Sequence, residues 1–133
     1  LDRAYLAGLA STLFGAAASN YLMKAAIARA RPGGLIPSTI ETSYSFPSGH
    51  ATAALALYGF IAYALCQLYP KHARKIVAIA TLIILIVGAS RLYLGVHFPS
   101  DVIAGYLLGG LWLLFGIALI ARVRYCPFKK PLP

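Results

Sequence analysis

Two histidines, His50 and His97, stand in polar blocks of an otherwise apolar chain. The first block reads Phe46-Pro47-Ser48-Gly49-His50, and the second runs from Ser90-Arg91 through His97 to Asp101. A third cluster, Lys24 to Arg31-Pro32, lies upstream. Polar groups like these are expensive in hydrocarbon surroundings, so their concentration at a few points predicts one charged site. Their types suit binding and cleaving a phosphate. Arg31 and Arg91 can each bind two phosphate oxygens through the guanidinium fork, and Lys24 adds a point charge. Lys24 and Arg31 are seven positions apart, which puts them on one face if a helix runs through both. Taken alone, that pair fits a charge cluster snorkelling towards lipid headgroups better than a site.

Pro47-Ser48-Gly49-His50 at a helix start is more informative. Free N–H groups and the helix dipole favour an anion there. Gly49 permits close backbone approach, and the Ser48 hydroxyl can donate a further hydrogen bond. His50 can protonate a leaving oxygen as general acid. A serine cap beside an exposed histidine explains this block equally well by itself. The third block pairs His97 with Asp101. A carboxylate can fix an imidazole's tautomer, orient it and raise its basicity. A neutral His97 can then attack phosphorus, giving a phosphohistidine that water hydrolyses. The plain alternative is a loop histidine next to a helix-capping aspartate. A metal held by the two histidines and Asp101 ranks low, because the nearby lysine and arginines repel a cation and suit an anion.

These residues need elements that bring them together. Of the 133 residues, 60% are hydrophobic, and the mean hydropathy is +0.76, far above a soluble average. Four stretches, Ala4–Met23, Ala51–Tyr69, Ile76–Gly95 and Val102–Ala121, carry almost no charge. Each approaches the ~20 residues needed to cross a bilayer as a helix, and a soluble bundle built from them would lack a polar exterior. The chain is therefore read as all-α, a polytopic transmembrane bundle with four membrane helices in one domain over residues 1–133. The first stretch is the least apolar, and its Gly8, Ser11, Gly15 and Ser19 are expected to pack closely against a neighbour.

The first helix is predicted from about Ala4 towards Arg31, with Pro32-Gly33-Gly34 as its stop. The second starts near Ser48 after a Leu35–Phe46 loop, and a Pro70-Lys71-His72 turn leads to a third ending near Leu94. Gly95 to Pro99 is a break, with Ser100 as N-cap of the fourth and Asp101 in its first turn. Trp112 falls mid-helix and is not expected to anchor at an interface, whereas Tyr69, Tyr93 and Tyr125 lie nearer the ends. By parity of the crossings, all three polar blocks reach the same membrane face.

The net charge is +9, with Asp2, Glu41 and Asp101 as the acids. The positions of the basic residues argue against nucleic acid. Arg3, the Lys71-Arg74-Lys75 loop and a basic tail over residues 122–133 fall together on the other face. The positive-inside rule makes that face cytoplasmic and places the site on the non-cytoplasmic side. Lys24, Arg29, Arg31 and Arg91 break this bias, which predicts another job for them. Cys66 and Cys126 have no metal or disulfide spacing, and reduced thiols are expected. The chain starts at Leu1 without a cleavable signal pattern and reads as part of a longer protein.

Together the blocks resemble the type 2 phosphatidic acid phosphatase superfamily, which also contains vanadium haloperoxidases. Its signature is K-x6-R-P, then P-S-G-H, then S-R-x5-H-x3-D. Lys24 to Arg31-Pro32, Pro47 to His50, and Ser90-Arg91 through His97 to Asp101 match at every position, and the resemblance covers roughly Leu22 to Gly109. It implies that Lys24, Arg31, Ser48, Gly49 and Arg91 hold the phosphate. His97 would be the nucleophile, Asp101 its orienting partner and His50 the leaving-group acid, with no metal and no cofactor. It also implies a six-helix core, of which four helices are seen here, and a bacterial inner-membrane lipid phosphatase. Undecaprenyl pyrophosphate, phosphatidic acid, phosphatidylglycerol phosphate and lipid A phosphate are the candidate substrates. Two other readings stand beside it: a vanadate-dependent haloperoxidase, disfavoured by the membrane stretches, and a lipid-phosphate binding or transport protein, disfavoured by the intact histidines.

Overall fold

The computed structural model describes residues 2–33 and 43–125. Four α-helices run up and down in one bundle: α1 (Arg3–Ile27), α2 (Gly49–Leu68), α3 (Ala73–Tyr93) and α4 (Pro99–Tyr125), with a short 3₁₀ turn at Pro70–His72 before α3. Among the described residues, three spans are long and apolar enough to cross a membrane: Gly49–Leu68, Pro70–Tyr93 and Pro99–Arg124. The 25-residue α1 has the length but less apolarity, so the four expected membrane helices are all present as helices and three of them meet that apolarity. The exterior is greasy. Phe14, Ile79, Leu82, Leu107 and Leu114 are all more than half exposed, the inverse of a water-soluble surface. Residues 122–125, expected in the tail, belong to α4, and residues 126–133 lie outside the described residues.

Small residues set how closely the helices approach. On α4, Gly105 and Gly109 face α2. A Cβ on Gly105 would lie 2.6 Å from the Ser48 carbonyl oxygen, and one on Gly109 would lie 2.5 Å from that of Thr52. This small-xxx-small spacing lets α4 touch the backbone of α2's first turns. The predicted close-packing residues of α1 largely do that work. Gly8 abuts Ile120 and the Gly116 carbonyl, and Gly15 lies under the Trp112 ring. Ser19 Oγ accepts from Trp112 Nε1 at 3.0 Å, so Trp112 braces α4 against α1. Ser11 instead bonds within its own helix, to the Gly8 carbonyl. The apolar centre, around Ala4, Phe60 and Ile120, sits towards the end remote from the polar blocks.

Two helix boundaries differ from expectation. α1 stops at Ile27 because Ala28 turns left-handed (φ 48°, ψ 38°), its N–H closing on the Lys24 carbonyl. Arg31 is therefore not on a helix face with Lys24. At α4, Pro99 is the first helical residue, a position where its missing N–H costs nothing. Ser100 is thus inside the helix and is not its cap. Asp101 reaches back instead, accepting from the Phe98 N–H at 2.9 Å, as the third residue does in a capping box.

Candidate active site

The end of α1, the start of α2 and the α3–α4 join meet at one end of the bundle. Each is placed by a local cause. Ser48 caps α2 by accepting from the Ala51 N–H at 3.4 Å, and its own N–H donates to the Asp101 carbonyl at 2.9 Å. The PSGH turn is thereby stitched to α4. After Ala28, residues 29–31 cross the end of the bundle. The Arg29 and Ala30 carbonyls accept from the Ser45 N–H and hydroxyl at 2.9 and 3.1 Å. Gly95, at φ 66°, turns the chain out of α3 and delivers His97.

Lys24, Arg31, Ser43, Gly49, His50, Ala53 and His97 line one cavity of about 340 Å³. Five of the eight residues foreseen for the site therefore meet there. Asp101 stands behind His97 as foreseen. It is fully buried, with Oδ2 3.5 Å from His97 Nδ1. That distance is at the outer limit of a hydrogen bond, and Nδ1 has no closer partner among the described residues. On the cavity side, Arg31 Nη1 lies 3.1 Å from His97 Nε2 and 2.9 Å from the Val96 carbonyl. Lys24 Nζ donates to the Tyr44 carbonyl. Nothing in the protein's own packing requires glycine at position 49, where a Cβ would sit 3.4 Å from Asn20 Oδ1 and 4.0 Å from Lys24 Cε. A side chain there would take space from the cavity instead.

Besides Asp101, two foreseen residues are not on the cavity wall. Ser48 is completely buried as a helix cap. Arg91 directs Nε to Ser90 Oγ at 3.2 Å. Two others were not foreseen. Asn20, buried on α1, donates to Thr52 Oγ1 at 3.0 Å and to the Pro47 carbonyl at 3.4 Å, tying α1 to the PSGH turn. Its signal was an amide in an apolar helix four residues before Lys24, on the same face. Arg29 donates from Nη1 to Asp101 Oδ1 at 2.9 Å, and its only signal was being a cation on the wrong side of the charge bias.

Electrostatics favour a neutral His97. Burial pushes its pKa below the ordinary value, and the Arg31 and Lys24 charges push the same way, while Asp101 pulls upward. A cationic cavity holding an uncharged imidazole is suited to an anion and a nucleophile together. Among the described residues no group of three or more His, Cys, Asp or Glu could hold a metal ion.

The fold defines the class: an integral membrane helical bundle with His50, His97, Asp101, Lys24 and Arg31 gathered at one end. The family model described as the PAP2 superfamily matches residues 5–125, and the chain belongs to that family. It is similar to phosphatidylglycerophosphatase B of Bacillus subtilis, 45% identical over 68% of this chain and 45% of that protein. It is also similar to lipid A 1-phosphatase of Rhizobium etli, 38% identical over 76% of this chain and 44% of that one. Undecaprenyl-diphosphatase of Sulfolobus acidocaldarius is 37% identical over 73% and 44%. The crystal structure of a transmembrane PAP2 type phosphatidylglycerolphosphate phosphatase from Bacillus subtilis superposes with a TM-score of 0.76 at 34% identity, over 92% of this chain and 60% of that one. The chain spans about half the length of the curated relatives it matches.

Proposed function

We propose that this protein hydrolyses a lipid phosphate or diphosphate through a phosphohistidine on His97, without a metal. The observation that carries the reading is one cavity holding His97, His50, Lys24, Arg31 and Gly49, backed by a buried Asp101. Lys24, Arg31 and the first-turn N–H groups of α2 take the phosphate oxygens. Ser48 acts by capping that turn. Arg91 joins once its guanidinium turns from Ser90 to the ligand. His97 Nε2 attacks phosphorus as the bond to the leaving oxygen breaks, and His50 gives that oxygen its proton. Water then attacks the phosphohistidine, losing a proton to His50 and freeing phosphate.

A groove of about 280 Å³ between α1 and α2 adjoins the cavity and shares Lys24, Gly49 and Ala53 with it. Leu13, Ala16, Ala17 and Ala56 make its far part apolar, which suits a lipid tail. All three relatives named above carry lipid phosphates or diphosphates in their names. The basic end, with Arg3, Lys71, Arg74, Lys75 and Arg122, faces the cytoplasm by the positive-inside rule. The site then opens on the outer face of a bacterial inner membrane. Turnover of the full-length protein on undecaprenyl pyrophosphate, phosphatidic acid, phosphatidylglycerol phosphate and lipid A phosphate tests the reading. Release of phosphate from at least one, with an acid-labile phosphoenzyme trapped on rapid quenching, is expected. No release from any of them would overturn it.

A further inference from the structure

Arg29 has no part in the reaction as described. We propose that it is a positioning residue: it holds the Asp101 carboxylate from behind, so that Oδ2 is presented to His97. The inference rests on His97 being the nucleophile.

The contacts are specific. Arg29 Nη1 donates to Asp101 Oδ1 at 2.9 Å and to Ser100 Oγ at 2.8 Å. Its guanidinium carbon lies 4.1 Å from the centre of the Phe98 ring. Stacking on the ring and donation in the plane fix the guanidinium in two directions. Among the described residues, Arg29 is the one donor to Oδ1, while Oδ2 receives the Phe98 N–H at 2.9 Å and faces His97 Nδ1. The two oxygens are thus held from two different elements, the segment after α1 and the α3–α4 join. That sets the plane of the carboxylate. Without Arg29, Oδ1 would be a buried acceptor lacking its donor, and the carboxylate would be free to turn.

Arg29 is not placed to take the substrate's phosphate. It is absent from the described wall of the cavity, and its fork is turned to α4. The left-handed turn at Ala28 sends two arginines, two residues apart, to opposite ends of one His–Asp pair. Arg31 reaches the outer nitrogen of His97, and Arg29 reaches the rear of Asp101. The rival role is a brace between α1 and α4 with no bearing on His97.

The test uses the full-length protein in nanodiscs, with Arg29→Gln and Arg29→Lys alone and on an Asp101→Asn background. Arg29→Gln should lower kcat about 10- to 100-fold, the range for outer partners that orient a ligating histidine, with KM within about twofold. Arg29→Lys should recover part of the loss, since a single nitrogen makes both bonds and an ammonium can donate to Oδ1, but the planar stacking on Phe98 is lost. On Asp101→Asn, Arg29→Gln should cost less than about twofold, because a residue acting through Asp101 has nothing left to act on. A raised KM at unchanged kcat, an additive loss on Asp101→Asn, or no recovery by lysine would overturn the inference. Should Arg29→Gln not be recovered folded, Phe98→Leu replaces it, removing the ring beneath the guanidinium but keeping the charge, and the same split of kcat and KM decides. His97→Ala is run alongside. Surviving turnover there would overturn this inference and the nucleophile reading together, whereas an inactive His97→Ala with a KM defect alone at Arg29 would overturn this inference only.

Discussion

Arg31 Nη1 lies 3.1 Å from His97 Nε2. A guanidinium has no acceptor to offer, so Nε2 accepts and the neutral ring carries its proton on Nδ1. That proton points to the Asp101 side, where Oδ2 is 3.5 Å away. The unprotonated nitrogen, whose lone pair Arg31 engages, is therefore the one facing the cavity, as the proposed attack on phosphorus requires. Arg31 thus bonds the proposed nucleophile and is also a cation that a phosphate would recruit. In the proposed reaction, substrate oxygens would draw its Nη1 from His97 and from the Val96 carbonyl and so expose Nε2.

The nucleophile prediction is direct. His97→Ala should lower turnover by at least about a thousandfold, since removing one member of a catalytic unit forfeits most of its effect. Membrane insertion should be retained. Undiminished phosphate release would end the assignment.

His50→Ala should separate substrates by leaving group. The loss should fall in the range of about 10²- to 10⁴-fold for a lipid phosphate, the usual worth of a general acid, and be much smaller for an activated aryl phosphate. Equal losses on both would argue against the acid role.

The pH profile follows from the direction of the His97 shift. Burial, Arg31 and Lys24 all disfavour the imidazolium, so the neutral, nucleophilic form persists to lower pH. The acid limb of kcat/KM should lie below the ordinary histidine value of about 6.5. Lys24→Gln removes one cation and should move the limb upward as well as weakening substrate capture. An acid limb at or above 6.5 that Lys24→Gln leaves in place would contradict this.

Packing under the site should matter as much as the site. Gly105→Val would press on the Ser48 carbonyl, 2.6 Å from the first added carbon. It should cost about 1–3 kcal/mol of stability by overpacking and should displace the PSGH turn. Thermal unfolding in detergent and turnover should both fall. An unchanged melting temperature with full activity would refute the contact.

Topology is open to labelling. In a background with Cys66 and Cys126 replaced by serine, cysteines at Tyr44 and His72, both at exposed positions, should react from opposite sides of the membrane. Labelling from one side would overturn the orientation.

Much of the fold and site was legible in the sequence because it rests on local chemistry. Helix length and apolarity come from side chains alone, and parity of crossings then brings the three polar blocks to one face. The Ser48 cap and the Gly95–Pro99 break follow from short-range backbone preferences. Other features depend on neighbours distant in the chain. Ala28 in the left-handed region is an uncommon choice for a residue with a Cβ, and nothing adjacent announces it. Yet it separates Arg31 from the helix of Lys24 and sends Arg29 to Asp101. Whether Ser48 and Arg91 line the cavity is likewise set by packing, since Gly105 admits α4 against the backbone of α2 and draws the Ser48 N–H to the Asp101 carbonyl. By itself, the sequence determined which groups would share one end of a membrane bundle. The tertiary structure alone decided which group touches which, because hydrogen bonds are directional over a few tenths of an ångström and helix ends must be fixed before side chains can meet.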